Sequence, residues 1–242
     1  MIKVEHLSKI FGDEKVLDDI SFEVASGEIL VFLGPSGTGK TVLLKHLIGL
    51  LSPDSGVITI EGKDITKFTQ KEQLVMRRDF GYLFQEGALY DFMNVFENVA
   101  FPLREHTDFN GEKIRERVRE VLEMVDLKDV EEKMPSELSG GMKKRVGLAR
   151  AIVLRAKILL CDEPTSGLDP IRSYDISNLI HQVVKKIGAT TVMMSHDVVN
   201  SFRIADRIAI LNEGHIEVIG NKQDLLSCQK SFVKEFLKPS AV

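Results

Sequence analysis

Apolar runs and amphipathic runs alternate along the chain. Four short runs are dense in apolar residues, as strands covered on both faces must be: residues 29–33 (ILVFL), 82–84 (YLF), 157–161 (KILLC) and 190–194 (TTVMM). Residues 112–126 and 139–154 show helical spacing instead. This alternation predicts a central, mainly parallel sheet with crossover helices, which is an α/β fold.

Other segments predict a second, smaller β layer. The runs IKVEHL and ISFEV near the start, and VITIEG after the SPDSG turn, are antiparallel strand candidates, and RIAIL and HIEVI around the NEG turn predict a hairpin. The two helical stretches lie between strands that must pair in the core, so residues of about 88–155 are predicted to form an inserted helical lobe. The run SFVKEFLKPSAV predicts an amphipathic helix packed on the body.

Composition narrows the class of protein. The chain has 242 residues, 43% hydrophobic and 28% charged, which suits one large globular domain. The formal net charge of −4 gives no broad basic field, so we expect no nucleic-acid partner. Cys161 and Cys228 form neither a disulfide framework nor metal-ligand spacing, and a reducing compartment is expected.

We expect no membrane-crossing segment or leader in this sequence. The opening residues, MIKVEHLSK, lack the apolar stretch of a signal peptide. No run approaches the ~20 apolar residues that span a bilayer. If the protein works at a membrane, another subunit must hold it there.

A glycine-rich loop follows the first apolar run. Residues 34–41, GPSGTGKT, fit the phosphate-loop pattern G-x-x-x-x-G-K-[ST] and precede the helical run TVLLKHLIGLL. The glycines let the backbone wrap a phosphate, and the helix N-terminus directs free N–H groups at it. Lys40 is expected to reach the β- and γ-phosphate oxygens, and Thr41 offers a hydroxyl to Mg²⁺. Val42 has no hydroxyl, so only its backbone N–H can serve. The alternative is a glycine-rich turn before a buried helix.

Two acidic residues follow the apolar run at 157–161. Asp162, at the carboxyl end of a buried strand, can hold a metal ion through water, as an acidic group does in many P-loop enzymes. Glu163 is a candidate to orient or deprotonate an attacking water. Two solvated acids would be the simpler interpretation of a lone pair, but PTSGLD follows at once.

Five motifs in one order carry a resemblance to a known family. Behind the phosphate loop come Gln85 after a strand, LSGGM at 138–142, CDEPTSGLD at 161–169 and SHD at 195–197. In this order and spacing they resemble the nucleotide-binding subunit of ABC transporters over nearly the whole chain. The resemblance implies an α/β fold with a P-loop NTPase (RecA-like) core, an antiparallel β layer and an inserted α-helical subdomain.

The resemblance also implies the domain organisation. Residues 1–242 form a single ABC ATPase domain. Its parts are a RecA-like core with the β subdomain at 1–87 and 156–220, a helical signature subdomain at 88–155 and a C-terminal helical tail at 221–242.

The resemblance gives roles to the motif residues. The catalytic set comprises Lys40, the Q-loop residue Gln85, Glu163 and the switch histidine His196. ATP binding is implied for Phe11, Val16, Gly34, Pro35, Ser36, Gly37, Thr38, Gly39, Lys40, Thr41, Val42 and Asp162. Phe11, in KIFG, occupies the place of the aromatic residue that stacks on adenine. Mg²⁺ is implied at Thr41, at Gln85 and, through water, at Asp162.

Two further loops complete the family pattern. The signature loop comprises Leu138, Ser139, Gly140, Gly141 and Met142, and the D-loop comprises Ser166, Gly167, Leu168 and Asp169. Met142 stands where many members have Gln. A helix starting at Ser139 exposes N–H groups and a positive dipole end, which suits a γ-phosphate.

In the family this helix meets the ATP held by the other protomer's phosphate loop. A second copy of the chain is therefore the implied partner, and neither site is complete alone. For at least one of Lys143, Lys144 and Arg145, further along the helix, a solvated face is the simplest interpretation.

Residues 85–107, QEGALYDFMNVFENVAFPLREHT, carry a narrower resemblance. Together with LSGGMKKR and ILLCDEPTSGLDPIRS, this stretch is similar to the ATPases of MCE-type lipid transporters, the maintenance-of-lipid-asymmetry (MlaF-like) group and the mycobacterial Mkl-like group. Val42 also resembles the GKSV of the mycobacterial branch. The resemblance implies transport of phospholipid or another lipid, with an integral membrane permease and an MCE-domain protein as partners.

Aromatic residues concentrate in the same region. Eight of the sixteen Phe and Tyr residues fall between Phe80 and Phe109. A coupling helix of a permease needs such an apolar groove, and Phe92, Met93 and Phe96 are the candidates to line it. About half of the eight are expected to fill the core of the helical lobe instead.

The sequence therefore predicts an ATP-hydrolysing motor that works as a homodimer on the cytoplasmic face of the inner (plasma) membrane, with ATP and Mg²⁺. A small regulatory subunit on the helical lobe is possible. The alternatives are the ATPase of a solute importer, for amino acids or metals, and a soluble ABC regulator of translation or DNA repair. A third is a nucleotide-binding module without catalysis, against which Glu163 and His196 argue.

Overall fold

The computed structural model describes residues 2–238. Its strands are β1 (Ile2–Phe11), β2 (Glu14–Val24), β3 (Ile29–Leu33), β4 (Ser55–Ile60), β5 (Lys63–Asp64), β6 (Phe80–Leu83), β7 (Ile158–Asp162), β8 (Thr190–Ser195), β9 (Arg207–Asn212) and β10 (His215–Gly220).

The helices all follow β3 in the chain. They are α1 (Lys40–Leu47), α2 (Gln70–Met76), α3 (Val95–His106), α4 (Gly111–Met124), α5 (Gly140–Ile152), α6 (Pro170–Ile187), α7 (Val198–Ile204), α8 (Lys222–Ser227) and α9 (Ser231–Leu237). The chain divides into two compact units: unit 1 takes Met1–Arg77 and Thr190–Val242, and unit 2 takes Arg78–Ala189.

Unit 1 contains an antiparallel sheet of four strands in the order β2-β1-β4-β5. Ile2 pairs with Val24 of β2 on one side and with Ile60 of β4 on the other. Buried and more accessible residues alternate at the start of β1, because one face of an antiparallel sheet packs on the core and the other meets solvent. This is the small β layer that the sequence predicts.

Unit 1 also contains the parallel strands that carry the phosphate loop. β3 pairs in parallel with β8 and β9, and β9 continues into the antiparallel hairpin with β10. All five residues of β3 are buried, which explains why the run 29–33 is apolar without alternation. Leu33 pairs with Ser195, so the loops after β3 and β8 leave the sheet at the same carboxyl edge.

His46, on the phosphate-loop helix α1, lies inside unit 1. The residue is 1% exposed, Nδ1 lies 2.8 Å from the carbonyl oxygen of Val42, and Nε2 has no hydrogen-bond partner among the described residues. A cavity of about 10 Å³ borders the ring. Burial lowers the pKa of His46, assisted by the charge of Lys9 and opposed by the bond to Val42 and the charge of Asp54.

Because the folded-state pKa of His46 is lowered, the unfolded chain binds more protons, and the free energy of unfolding falls as the pH drops through about 6.5. One proton limits the slope to about 1.4 kcal/mol per pH unit. We expect His46→Leu to flatten this slope in urea titrations between pH 5 and pH 8. The exposed His106 is the matched control, and an equal flattening by His106→Leu would contradict the assignment.

Unit 2 combines a parallel strand pair with four helices. β6 and β7 run in parallel, and Leu83 pairs with Cys161. α5 packs against α3, α4, α6 and β6. A Cβ at Gly81 would lie 2.3 Å from the carbonyl oxygen of Ala151, so only glycine allows β6 to approach the end of α5 this closely.

Several boundaries differ from the sequence-based prediction. The strand predicted at 82–84 is observed at Phe80–Leu83. Phe84 lies outside it, with 44% of its surface exposed. The strand predicted at 157–161 is observed at Ile158–Asp162, and all five of its residues are buried. The tail helix ends at Leu237, and the residues after 238 lie outside the described part of the chain.

Helix α3 is absent from the sequence-based prediction. Pro102 lies inside it and disfavours a helix, because proline cannot donate the backbone hydrogen bond to residue 98. A capping box between Asn94 and Glu97 overrides this signal at the N-terminus. Within residues 2–238 none of the helices combines the length and apolar character needed to cross a bilayer.

Candidate functional site

The loop between β3 and α1 in unit 1 has the geometry of a phosphate cradle. Gly37 and Gly39 have φ of 82° and 91°, the left-handed region that favours glycine. A Cβ at Gly39 would lie 2.8 Å from the carbonyl oxygen of Val16, and one at Gly34 would lie 2.2 Å from that of Leu211. The backbone therefore keeps this shape only with glycine at these two positions.

Lys40 is the first residue of α1 and curls back over the loop. It is 7% exposed, and its Nζ donates to the carbonyl oxygens of Gly34 (2.7 Å) and Pro35 (2.8 Å). The Thr38 hydroxyl donates to Pro35 as well (3.0 Å). These contacts hold an ammonium group at the mouth of the loop, where a phosphate oxygen can replace a carbonyl.

The start of α1 suits a bound anion. Gly39 is its N-cap residue, and among the described residues no side chain caps the first turn and no acidic residue lies in it. The first N–H groups of the helix then point to an incoming phosphate together with the positive dipole end. Thr41 is exposed and follows Lys40, as a hydroxyl ligand of a phosphate-bound Mg²⁺ requires.

The donor groups also fit magnesium that arrives with the nucleotide. Within residues 2–238 no cluster of three His, Cys, Asp or Glu side chains could hold a metal ion alone. Mg²⁺ in phosphate-transfer sites is commonly held by one or two protein oxygens, substrate phosphates and waters rather than by an all-protein cage. The Thr41 hydroxyl in unit 1, and the Gln85 amide and the Asp162 carboxylate in unit 2, are each oxygen donors of the kind that this pattern uses.

Other predicted ATP-site residues of unit 1 lie on its strands and loops. Phe11 ends β1 with 45% of its surface exposed, and the Lys9 ammonium lies 5.4 Å from the centre of its ring. Val16 is half-buried, and its carbonyl abuts Gly39. His196 is exposed directly after β8. The pairing of Leu33 with Ser195 therefore brings the phosphate loop and His196 to one edge of the sheet.

In unit 2 the predicted acidic residues lie at the end of β7. Asp162 is the last strand residue and is 8% exposed, whereas Glu163 is half-buried. Glu163 has φ of 47°, a conformation that is uncommon for a residue with a side chain and that costs roughly 1–3 kcal/mol. This left-handed conformation redirects the chain immediately after the strand.

Tyr82 is a functional candidate that the sequence did not reveal. Its hydroxyl donates to Oδ2 of Asp162 at 3.3 Å. Burial is the main cause that raises the pKa of Tyr82, and the charge of Asp162 raises it further, so the hydroxyl keeps its proton. No local pattern indicates this pair, because it depends on how β6 and β7 align.

Gln85 and the D-loop meet within unit 2. Gln85 is exposed two residues after β6, and its Nε2 donates to the hydroxyl oxygen of Ser166 at 3.1 Å. Gly167 takes φ of 77°, and Asp169 ends the loop as the N-cap of α6 by accepting from the backbone N–H of Arg172. The structure thus brings the predicted Q-loop residue and the predicted D-loop together.

The signature loop ends at an exposed helix N-terminus. Ser139 is the N-cap of α5, and its hydroxyl accepts from the backbone N–H of Met142 at 3.3 Å. Ser139 and Gly140 are exposed, Gly141 is half-exposed, and Leu138 is buried beneath them. The helix start predicted at Ser139 is confirmed, and its polar end faces outward.

The cationic side chains near the start of α5 are more buried than side chains on a solvent-exposed helix face. Lys144 is 5% exposed and donates to the carbonyl oxygen of Gln85, and burial lowers its pKa. Arg145 donates to the carbonyl oxygen of Val125, while Lys143 is half-exposed. The sequence contained one signal for the burial of Lys144: the apolar residue Leu148 follows four positions later, on the same helix face.

A second cationic residue of α5, Arg150, contacts the segment that follows Gln85. Arg150 donates to the carbonyl oxygen of Gly87 at 2.8 Å, and its guanidinium lies 5.6 Å from the centre of the Tyr90 ring. A Cβ at Gly147 would lie 3.2 Å from Cα of Gly87. The Q-loop segment and the signature helix are therefore in direct backbone contact within unit 2.

The aromatic residues between 80 and 109 lie mostly at the surface of unit 2. Of the eight, only Phe80 is buried, so the expectation that half of them fill the core is wrong. Phe92 is 76% exposed, and Met93 and Phe96 are half-exposed. Tyr90 contacts both Phe92 and Phe101, with ring centres 5.7 and 5.2 Å apart. The apolar core of the lobe is built from aliphatic residues instead.

Comparisons with known proteins agree with this geometry. The family model described as ABC transporter matches residues 17–166. A probable ribonucleotide transport ATP-binding protein, mkl, of Mycobacterium leprae is 46% identical over 98% of this chain and 68% of its own length. The intermembrane phospholipid transport system ATP-binding protein MlaF of Haemophilus influenzae is 40% identical over 98% of this chain and 90% of its own length.

A solved structure supports the fold. It is an ATP-binding cassette in a dimeric, post-hydrolysis state bound to ADP and Pi, 30% identical, with a TM-score of 0.83 over 91% of this chain and 98% of that chain. The predicted fold class and the resemblance to Mkl-like and MlaF-like ATPases are confirmed. This chain spans about two thirds of the length of the mycobacterial relatives. The chain belongs to the ABC transporter family, and it is an ATPase that uses ATP and Mg²⁺.

Proposed function

We propose that this chain is the motor subunit of an ABC transporter that moves phospholipid or another apolar lipid, with an integral membrane permease and an MCE-domain protein. The observation that carries the proposal is the likeness to the H. influenzae phospholipid-transport protein, which covers 98% of this chain and 90% of that protein. The proposed place of action is the cytoplasmic face of the inner membrane, where the permease holds the chain.

The proposed roles divide between nucleotide binding and hydrolysis. Lys40 neutralises the β- and γ-phosphates, and Phe11 and Val16 receive the adenine side. When bound, Mg²⁺ would offset charge on the phosphate oxygens, with Thr41, Gln85 and, through water, Asp162 as the groups that hold it. Glu163 orients and deprotonates the attacking water, and His196 contacts the γ-phosphate.

The proposed sites are shared between two copies of the chain. The exposure of Ser139 and of Gly140 at the α5 N-terminus supports this, because an uncovered helix start can meet a phosphate held by a partner. The ATP-binding cassette that was solved as a dimer also supports it. Closure of the dimer then requires ATP, and hydrolysis removes the bridging γ-phosphate.

The organisation of the chain is part of the proposal. Residues 1–87 and 156–220 provide the RecA-like core with the β subdomain, 88–155 the helical signature subdomain and 221–242 the tail. Phe92, Met93 and Phe96 form the proposed permease groove, supported by the exposure of Phe92. No nucleic acid is among the proposed partners.

A membrane pull-down tests the lipid assignment. We expect tagged full-length protein, expressed from its own locus and extracted from native membrane in mild detergent, to recover a permease and an MCE-domain protein. Phe92→Glu, a change at an exposed position that leaves the nucleotide loops intact, should reduce that recovery by at least about tenfold. Phe109→Glu, also exposed and aromatic, is the control. Recovery of a solute-binding protein instead would contradict the lipid assignment.

The second candidate is the ATPase of a solute transporter. The name of the M. leprae relative, which refers to ribonucleotide transport, favours a polar cargo. The two candidate functions are distinguished in the sequence by residues 85–107, the stretch that resembles lipid-transport ATPases. The same pull-down separates the two candidates, because a solute system would yield a solute-binding protein without an MCE-domain protein.

A further inference from the structure

Tyr82 of β6 and Asp162 of β7 form a polar pair in unit 2. The Tyr82 hydroxyl lies 3.3 Å from Oδ2 of Asp162. An ionised carboxylate only accepts hydrogen bonds, so the hydroxyl is the donor. Asp162 is 8% exposed and Tyr82 is half-buried, which limits competition from water.

The alignment of β6 and β7 creates this pair. Tyr82 pairs with Leu160, and Asp162 lies two residues further along β7, on the same face of the sheet. Side chains in strands lean along the strand direction, which brings the tyrosine ring toward the carboxylate.

Neighbouring contacts hold the tyrosine ring. Phe84, just after the end of β6, lies with its ring centre 4.3 Å from that of Tyr82. Gly81 packs without space for a Cβ against the carbonyl of Ala151. The strand that carries Tyr82 is therefore fixed on one side by the backbone of α5 and on the other by the pairing with β7.

A hydrogen bond to Oδ2 constrains the orientation of the Asp162 carboxylate. Groups that orient a ligand in this way commonly change metal affinity by about 10- to 100-fold when they are removed. We propose that Tyr82 is a positioning residue that holds the Asp162 carboxylate in the orientation that binds the water on Mg²⁺. This inference rests on the proposed magnesium role of Asp162.

Tyr82→Phe removes one oxygen atom and keeps the ring, so it tests the hydroxyl alone. We expect the Mg²⁺ concentration at half-maximal binding of AMP-PNP, a nucleotide that is not hydrolysed, to rise about tenfold in the full-length variant. Binding is measured by isothermal titration calorimetry or with a fluorescent AMP-PNP analogue. In EDTA the nucleotide affinity should remain within about twofold of the wild type, because the proposed role of Tyr82 acts only through the bound metal ion.

Two further variants make the result decisive. Tyr90→Phe removes a hydroxyl from another tyrosine of unit 2 and should leave the magnesium dependence unchanged. Asp162→Asn should raise the half-maximal Mg²⁺ concentration at least as much as Tyr82→Phe. If Asp162→Asn has this effect and Tyr82→Phe does not, the role of Tyr82 is refuted and the function of Asp162 stands. If neither has an effect, the magnesium role of Asp162 is refuted, and the inference with it. An equal loss of affinity in EDTA would show that Tyr82 supports the fold rather than the carboxylate.

Discussion

Glu163→Gln is expected to lower the ATP turnover rate by about 10² or more while the protein still binds ATP, because an amide cannot accept the proton of the attacking water. The substitution keeps the size of the side chain. It also keeps the backbone conformation demanded at this position, where φ is 47°. Since hydrolysis is what separates the proposed dimer, the variant should remain dimeric in ATP, as size-exclusion chromatography with multi-angle light scattering can show.

The control for this variant is Glu123→Gln, which makes the same chemical change at an exposed position of α4. It should hydrolyse ATP at the wild-type rate and return to monomers. Undiminished phosphate release by Glu163→Gln would remove Glu163 from the mechanism, and another base would be required.

Two inactive variants are expected to restore ATPase activity when they are mixed. Lys40→Ala removes the buried ammonium from the phosphate loop, and Ser139→Arg places a bulky cation at the exposed start of α5. Each variant alone should lose activity by about 10². In an equal mixture, random pairing makes about half of the dimers mixed, and each mixed dimer contains one intact shared site, so about a quarter of the wild-type activity should return.

The control mixture combines Lys40→Ala with Thr41→Ala. Both changes lie in the phosphate loop, so each site of a mixed dimer contains one defect and activity should stay low. If Lys40→Ala and Ser139→Arg together recover no more phosphate release than this control, the two residues do not serve one site from different copies.

Local chemistry made much of the proposed site predictable. The strand at 29–33 is observed with the predicted bounds, because a run of five buried apolar residues before a glycine-rich loop has few other solutions. The helix start at Ser139 was equally predictable, since serine is a favoured N-cap residue. Both features depend on neighbours in sequence.

Features that depend on how segments far apart in the sequence align could not be predicted from the sequence. The pair of Tyr82 and Asp162 needs the register of two strands whose residues lie 80 positions apart. The burial of Lys144 depends on which face of α5 packs beneath the segment at Gln85. The core of the lobe consists of aliphatic side chains, and most of the aromatic residues lie outside it. Pro102 disfavours a helix in the sequence at the place where α3, which carries Phe96, is observed.

In the proposed mechanism two copies of the chain share each ATP, so the specific ATPase activity should depend on protein concentration. Phosphate release per molecule should fall toward zero as the purified protein is diluted below its dimerisation constant at saturating ATP and Mg²⁺, and it should reach a plateau at high concentration. A specific activity that stays constant over the whole dilution series, with monomers confirmed by light scattering, would contradict the shared site.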